Sequence, residues 1–264
     1  MRTDTLFHSL HKNGILMLAN CWDAGSARIA AALPSQAIAT SSAALAWAHG
    51  YADGGKLPTE LLLGTVASIA RATSLPLTVD IEDGYSDDPQ RVASLIAALI
   101  DLGVAGVNLE DGGGTPDLLC RKIAAARLVA KQQGSQLFIN ARTDVYLRGL
   151  AEPGQRVAET LRRADRYEDA GASGLFVPGL VDRAEIGAIA AVTPLALNLM
   201  AMPGLPSLEQ LAELGVRRLS AGTALAQALY TSLRGLGQQF MASGEIGTPP
   251  YPPLSYSELN ELMS

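Results

Sequence analysis

Cysteine is scarce: Cys21 and Cys120 are the only two in 264 residues. Two are too few for a disulfide framework, and no C-x-x-C pair or histidine-rich zinc pattern accompanies them. Charge is thin as well, with Asp, Glu, Lys and Arg making up 17% of the chain. The formal net charge is −6 and no block of like charge occurs, which argues against a nucleic-acid surface. No run of about 18 apolar residues exists, so no membrane span is expected. The N-terminal MRTDTLFHSLHKNG lacks the apolar core of a secretory signal. No G-x-G-x-x-G follows an apolar run, and the glycines at 112–114 match that fingerprint poorly. The expectation left is a reduced, cytoplasmic, soluble enzyme with neither nucleic acid nor membrane as a partner.

Hydrophobic residues are abundant at 48%, enough for a sizeable core. Eight short apolar runs read as buried strands: 15–19, 37–40, 77–79, 106–109, 137–140, 174–177, 196–199 and 217–220. Ala- and Leu-rich helical patterns lie between most of them, at 59–73, 88–102, 118–133, 153–170, 183–191, 207–214 and 223–242. Helix starts carry capping residues, with Thr59 behind Pro58, Asp88 before Pro89, and Ser207 before Glu209. Helix ends carry Gly103, Gly134, Gly171 and Gly215. This alternation predicts an α/β fold, a (β/α)8 TIM barrel, with a doubly wound open sheet as the competitor. One domain over residues 1–264 is expected, with 243–264 as a C-terminal arm and helix. The arm is Pro-rich at 248–254 and leads into a capping pattern at Ser257 and Glu258.

Polar residues sit where the apolar runs stop. Asp80 and Glu82 follow the third run, Glu110 and Asp111 the fourth, and Arg142 and Asp144 the fifth. In a barrel these strand ends converge on one rim. Asp80 and Glu82 are two apart and share a face of an extended chain, and their hard oxygens suit Mg²⁺ or Mn²⁺. Glu110 can face Asp80, and a shared divalent metal resolves the repulsion between them. Arg142 either grips an anionic substrate bidentately or pairs with Asp144 or Glu110. Ser41, Ser42 and Ala43 belong to a small-residue βα loop that either offers backbone N–H groups to an oxyanion or is a plain connection. Asn198, alone in the run LALNLM, is either a substrate donor or a core amide. His49 reads as structural, Asp83 as part of a solvated acidic loop, and Cys120 as a helix residue.

The motifs TSSAAL, HGYADG, VDIEDGY, GVNLED and NARTDV, with PGLPSLEQLAELGVRRLSAG after Asn198, occur in order along the chain. Together they resemble the isocitrate lyase / phosphoenolpyruvate mutase superfamily over nearly the whole length. The resemblance implies a barrel whose last helix is swapped onto a neighbour, in a homo-dimer or homo-tetramer. It implies Mg²⁺ held by Asp80, and largely through water by Asp53, Glu82 and Glu110. It implies that the backbone at Ser41, Ser42 and Ala43 binds the carboxylate and oxo group of a 2-oxoacid, that Arg142 holds the far end, and that Arg142, Glu110 and Asp53 form the catalytic set.

The chain also departs from the pattern. The lyases' K-K-C-G-H loop is replaced by GGGTPD at 112–117, and the mutases' lysine- and asparagine-bearing loop is missing at the same place. Their histidine after the sixth strand is replaced by Val177-Pro178-Gly179. Three readings follow. The first is a Mg²⁺-dependent lyase acting on a C–C bond beside the 2-oxoacid unit of a small 2-oxo or 2-hydroxy carboxylic acid, decarboxylation or hydrolysis of an oxaloacetate-like acid included. The second is phosphonopyruvate mutase or hydrolase chemistry, and the third a 2-oxoacid-binding protein with little turnover.

Overall fold

A computed structural model describes residues 2–249 and 251–264. Nine parallel strand segments form the sheet. They are β1 Leu16–Leu18, β2 Asn20–Cys21, β3 Ile38–Thr40, β4 Leu77–Asp80, β5 Gly106–Glu110, β6 Phe138–Arg142, β7 Gly174–Phe176, β8 Ala196–Met200 and β9 Arg218–Ser220. The order is β1-β9-β8-β7-β6-β5-β4-β3-β2. Only Ala19 separates β1 from β2, so they are two halves of one strand, the first pairing with β9 and the second with β3. The sheet thus curls into a nearly closed TIM-type barrel. All eight runs expected from sequence are barrel strands, and the open-sheet alternative is excluded.

Around it run α1 Thr3–Leu10, α2 Ala24–Ala32, α3 Ser42–Ala48, α4 Thr59–Ala72, α5 Pro89–Asp101, α6 Pro116–Gln132 and α7 Arg156–Asp169. They are followed by α8 Arg183–Val192, α9 Leu208–Glu213, α10 Ala224–Ser243 and α11 Tyr256–Met263. Outward strand residues such as Val79, Val107, Ile139, Leu175 and Leu197 are fully or almost fully buried against the helices. The bottom of the barrel is closed by α1, whose Phe7 meets Phe138 edge-on at 5.5 Å. No helix among the described residues is long and apolar enough to cross a membrane.

Several local expectations need correction. α1 and α2 lie where no helix was expected, and the supposed loop at 40–45 is largely α3, capped by the Ser41 hydroxyl. Thr59 is the first residue of α4 rather than its cap, with Pro58 before it and no side-chain bond. Ser255, not Ser257, caps α11, in a capping box with Glu258. Asp88 and Ser207 do cap their helices. The pattern at 153–170 divides into a 3₁₀ turn, Pro153–Gln155, and α7. The C-terminal arm leaves α10 at Ser243 and ends in α11, which returns against α2; Pro250 of the proline-rich stretch lies outside the described residues.

Candidate active site

Strand alternation decides which side chains reach the barrel axis. Thr78 and Asp80, Asn108 and Glu110, Asn140 and Arg142, and Arg218 and Ser220 occupy alternate positions on their strands. The last member of each pair stands at the C-terminal rim, where barrel chemistry is placed.

At that rim a cavity of about 180 Å³ opens, lined by Ser41, Ser42, Ala43, Asp53, Asp80 and Arg142 among others. These are residues expected from the sequence. Glu82 and Glu110 border a neighbouring hollow of about 240 Å³, walled by Gly54, Gly55 and the glycines at 112–114. Asn198 does not reach the cavity wall: it is fully buried, and its Oδ1 accepts a bond from Ser220 Oγ at 3.2 Å.

Asp80 is held from both sides. Its Oδ2 accepts from Ser42 Oγ at 3.0 Å and Ser42 N at 3.4 Å, and its Oδ1 accepts from Glu82 N at 3.3 Å. Its own N–H donates to Thr40 Oγ1 at 2.9 Å, locking the strand end. Because Ser42 N is turned to Asp80, the Ala43 N–H is the α3 backbone donor at the cavity wall that has no partner among the described residues.

Glu82 sits at φ 51°, in the left-handed region that a residue with a Cβ seldom adopts. Gly55 N donates to its Oε2, while its buried Oε1 has no hydrogen-bond partner among the described residues. Burial, then the negative charge of Asp53, pushes the Glu82 carboxyl up to about 7, with Asp80 adding to the shift. Burial likewise pushes Glu110 up to about 8, helped by Asp80, Asp144 and Glu82 and opposed by Arg142. Arg142 Nη1 lies 2.7 Å from Glu110 Oε2, and Asp144 takes its Nε at 2.7 Å and Nη2 at 3.1 Å. Three of the five guanidinium N–H groups are thus engaged, leaving two for a ligand.

The cluster is short of positive charge. Acidic groups crowd together, one buried oxygen has no partner, and two carboxyls hold their protons abnormally tightly. Hard carboxylate donors in that state fit a divalent cation of the Mg²⁺ or Mn²⁺ kind. No group of three or more Asp, Glu, His or Cys among the described residues forms a closed cage. An ion that keeps several waters of its own does not need one.

The phosphoenolpyruvate phosphomutase family model matches residues 7–241. The chain belongs to that family. It is therefore an enzyme of the phosphoenolpyruvate mutase / isocitrate lyase superfamily, as the motif order implied. A candidate phosphonomutase from Burkholderia cenocepacia J2315 has a crystal structure 43% identical, with TM-score 0.85, covering 90% of this chain and 99% of that one. An uncharacterised protein of Mycobacterium tuberculosis (strain ATCC 25618 / H37Rv) is 38% identical over 220 residues, 82% of this chain and 81% of that protein. The oxaloacetate decarboxylase of Ectopseudomonas mendocina (strain ymp) is 31% identical over 233 residues, 82% of this chain and 78% of the enzyme.

Within this phosphomutase-family barrel, the side chains near the glycine-rich loop are spoken for. Cys120 Sγ donates to Arg166 O at 3.5 Å, and burial pushes its thiol up. Lys122 is buried, with Nζ donating to Asp83 O at 2.7 Å beside the Asp83 and Asp87 carboxylates. Asp111 is tied into the wall by Thr143 Oγ1, Asp144 N, Arg163 Nη1 and the Tyr167 hydroxyl. His49 is exposed and meets Thr65 Oγ1 at 2.8 Å. The sequence reading missed Asn20, Asn108 and Ser220 in the cavity wall, and the wholly buried Arg218 beneath it. The available signal was a polar residue two before each rim residue: Asn108 before Glu110, and Arg218 before Ser220.

Proposed function

We propose that the cavity takes a small 2-oxo dicarboxylate of the oxaloacetate type and breaks the C–C bond next to its 2-oxoacid unit, the one that holds the distal carboxylate. The observation that carries this reading is the charge arrangement in one small space. Asp80 and Asp53 in the wall of a cavity of about 180 Å³, with Glu82 and Glu110 at the hollow beside it, call for a divalent cation next to a partly free guanidinium, Arg142. That volume suits a four-carbon acid better than a large substrate. The oxaloacetate decarboxylase relative supports the same class.

Asp80 would be the direct ligand of Mg²⁺, with Glu82, Glu110 and Asp53 around it. When bound, the ion supplies a charge that draws the 2-oxo oxygen and its neighbouring carboxylate together and stabilises negative charge developing there. The chain's own residues do the rest. Ala43 N–H points its dipole at the same end of the substrate. Arg142 holds the distal carboxylate with its two remaining N–H groups, while Glu110 and Asp144 fix the guanidinium. Loss of the distal carboxylate as CO₂ leaves its electron pair on the adjacent carbon as an enolate, and a proton then converts that to pyruvate. Glu110 stands at the rim, with one oxygen on Arg142 and the hollow beside it. The short 112–114 glycine loop leaves that rim open to water.

The decisive experiment is a Mg²⁺-dependent assay of pyruvate release from oxaloacetate, run on the wild type and Asp80→Ala. Activity abolished by Asp80→Ala, with an unchanged circular dichroism spectrum, supports the reading. A wild type that releases no pyruvate above the metal-catalysed background sinks it. Phosphonate chemistry is the second reading, favoured by the 43% identity to the candidate phosphonomutase. Turnover of phosphonopyruvate in the same assay series would favour it. Binding of 2-oxoacids without turnover would leave a binding protein.

A further inference from the structure

We propose that Asn108 is a substrate-binding donor and that Arg218, one layer below, is its positioning residue; this rests on the proposed 2-oxoacid function. Arg218 is wholly buried in the barrel, and no carboxylate lies within ion-pair distance of it among the described residues. Its Nη2 donates to Asn108 Oδ1 at 3.1 Å and its Nε to Ser220 Oγ at 3.3 Å, while Nη1 has no partner among the described residues. Burying a cation without an anion is expensive and is kept only where something compensates it.

The compensation lies directly above. Asn108 and Ser220 both form part of the wall of the 180 Å³ cavity. Asn108 Oδ1 receives a second bond, from Asn140 Nδ2 at 2.9 Å. Two donors converging on one oxygen fix which way the amide faces. The Asn108 Nδ2 group is thereby left without a partner among the described residues, in the wall that a ligand would touch. A fixed N–H donor backed by a buried guanidinium is a receptor for an anion, here the carboxylate or nascent enolate oxygen of the substrate. The bond that Arg218 makes to Asn108 polarises the amide in the sense that strengthens its N–H as a donor.

The probe is oxalate, a planar dianion of the same shape as the enolate of pyruvate. Its affinity is measured by calorimetry with Mg²⁺ for the wild type, Asn108→Ala, Arg218→Met and the double variant, with melting temperatures recorded alongside. Asn108→Ala should weaken oxalate about 10- to 100-fold, the range for a hydrogen bond to a charged group. Arg218→Met should weaken it by a similar factor without lowering the melting temperature, because replacing a buried ion that has no ion-pair partner by a hydrophobe is often neutral or stabilising. The double variant should bind no worse than Asn108→Ala alone, the signature of one residue acting through another. Arg218→Lys, which keeps the charge but cannot hold Asn108 and Ser220 together, should fall between. If the alanine variant does not fold, Asn108→Asp serves. It keeps the acceptor that Arg218 and Asn140 need but turns the cavity-facing donor into a charged acceptor, so it should lose oxalate more completely than the alanine variant.

Oxalate affinity unchanged in the Asn108 variants, with the wild type binding, overturns this inference and leaves the proposed function standing. A loss in Arg218→Met that adds to that of Asn108→Ala overturns the positioning role. A wild type that binds neither oxalate nor oxaloacetate overturns both readings together.

Discussion

Glu82 occupies a left-handed backbone position at φ 51°, a conformation that costs a non-glycine residue of order 1–3 kcal/mol. The strain brings its carboxyl into a crowd of like charge, and the protonation state records the crowding. In the metal-free protein Glu82 titrates near 7 and Glu110 near 8, both above the ordinary 4.5. Between 4.5 and those values these two carboxyls bind more protons in the folded state than in the unfolded one, so their contribution to stability falls as pH rises, against a smaller opposite contribution from buried His11 below about 6.5. Melting temperatures of chelator-treated protein are expected to decline from pH 5 to pH 8, and Glu110→Gln should flatten that decline; a flat wild-type curve would contradict it. Added Mg²⁺ should raise the melting temperature more at pH 8 than at pH 6, because it competes with the protons. Arg142 is the other residue with a sharp expectation. Lysine cannot span Glu110, Asp144 and a ligand at once, so Arg142→Lys should raise the KM for oxaloacetate about tenfold or more. An unchanged KM would make Arg142 a purely structural partner of Asp144.

The element that aims the carboxylates is the turn after β4. Gly84 adopts φ 91°, and a Cβ there would stand 2.7 Å from Val92 Cγ2. Gly84→Ala therefore meets both a disfavoured backbone and the wall of α5. It should cost about 2 kcal/mol or more in urea unfolding and weaken Mg²⁺ binding by displacing Glu82; a cost below about 0.5 kcal/mol would mean that the turn relaxes freely. Gly106 and Gly174 are constrained differently: a Cβ at Gly106 would meet Phe7 at 2.8 Å, and one at Gly174 would meet Asn140 Oδ1 at 2.7 Å. The sequence shows the barrel because each strand's outward face makes an apolar run, and it shows the rim because Asp80, Glu110 and Arg142 come where those runs end. It conceals the inward face. In strands of two to five residues, a lone Asn108 or Arg218 reads as an interruption, and its two-residue offset from the rim has meaning only once the inner face is known. α3 was concealed for a related reason: its small residues carry no amphipathic stripe, so Thr40–Leu45 read as a loop.

At the scale of the whole molecule, α10 is the element that its own barrel leaves unfinished. It runs for 20 residues, yet only Ala226 on it is buried. Leu225, Leu229, Leu233 and Phe240 recur at four- and seven-residue steps and are 45%, 52%, 63% and 49% exposed. A helix that presents such a stripe to water is an interface face. We propose a second copy of this chain as its partner, in a homo-dimer or homo-tetramer, as the swapped helix of the resemblance implied. Leu229→Glu with Leu233→Glu puts two charges in the stripe and should convert the assembly to monomer in sedimentation velocity. A wild type that is itself monomeric at micromolar concentration would refute the interface. Gly222 and Thr223, immediately before α10, line the rim cavity, and Gly222 N donates to Asn20 Oδ1 at 2.9 Å. Anchoring α10 on a neighbour therefore steadies one wall of the site. The monomeric variant should bind oxalate several-fold more weakly than the wild type although neither substituted leucine touches the cavity, and equal affinity would show that the wall holds its shape without a partner.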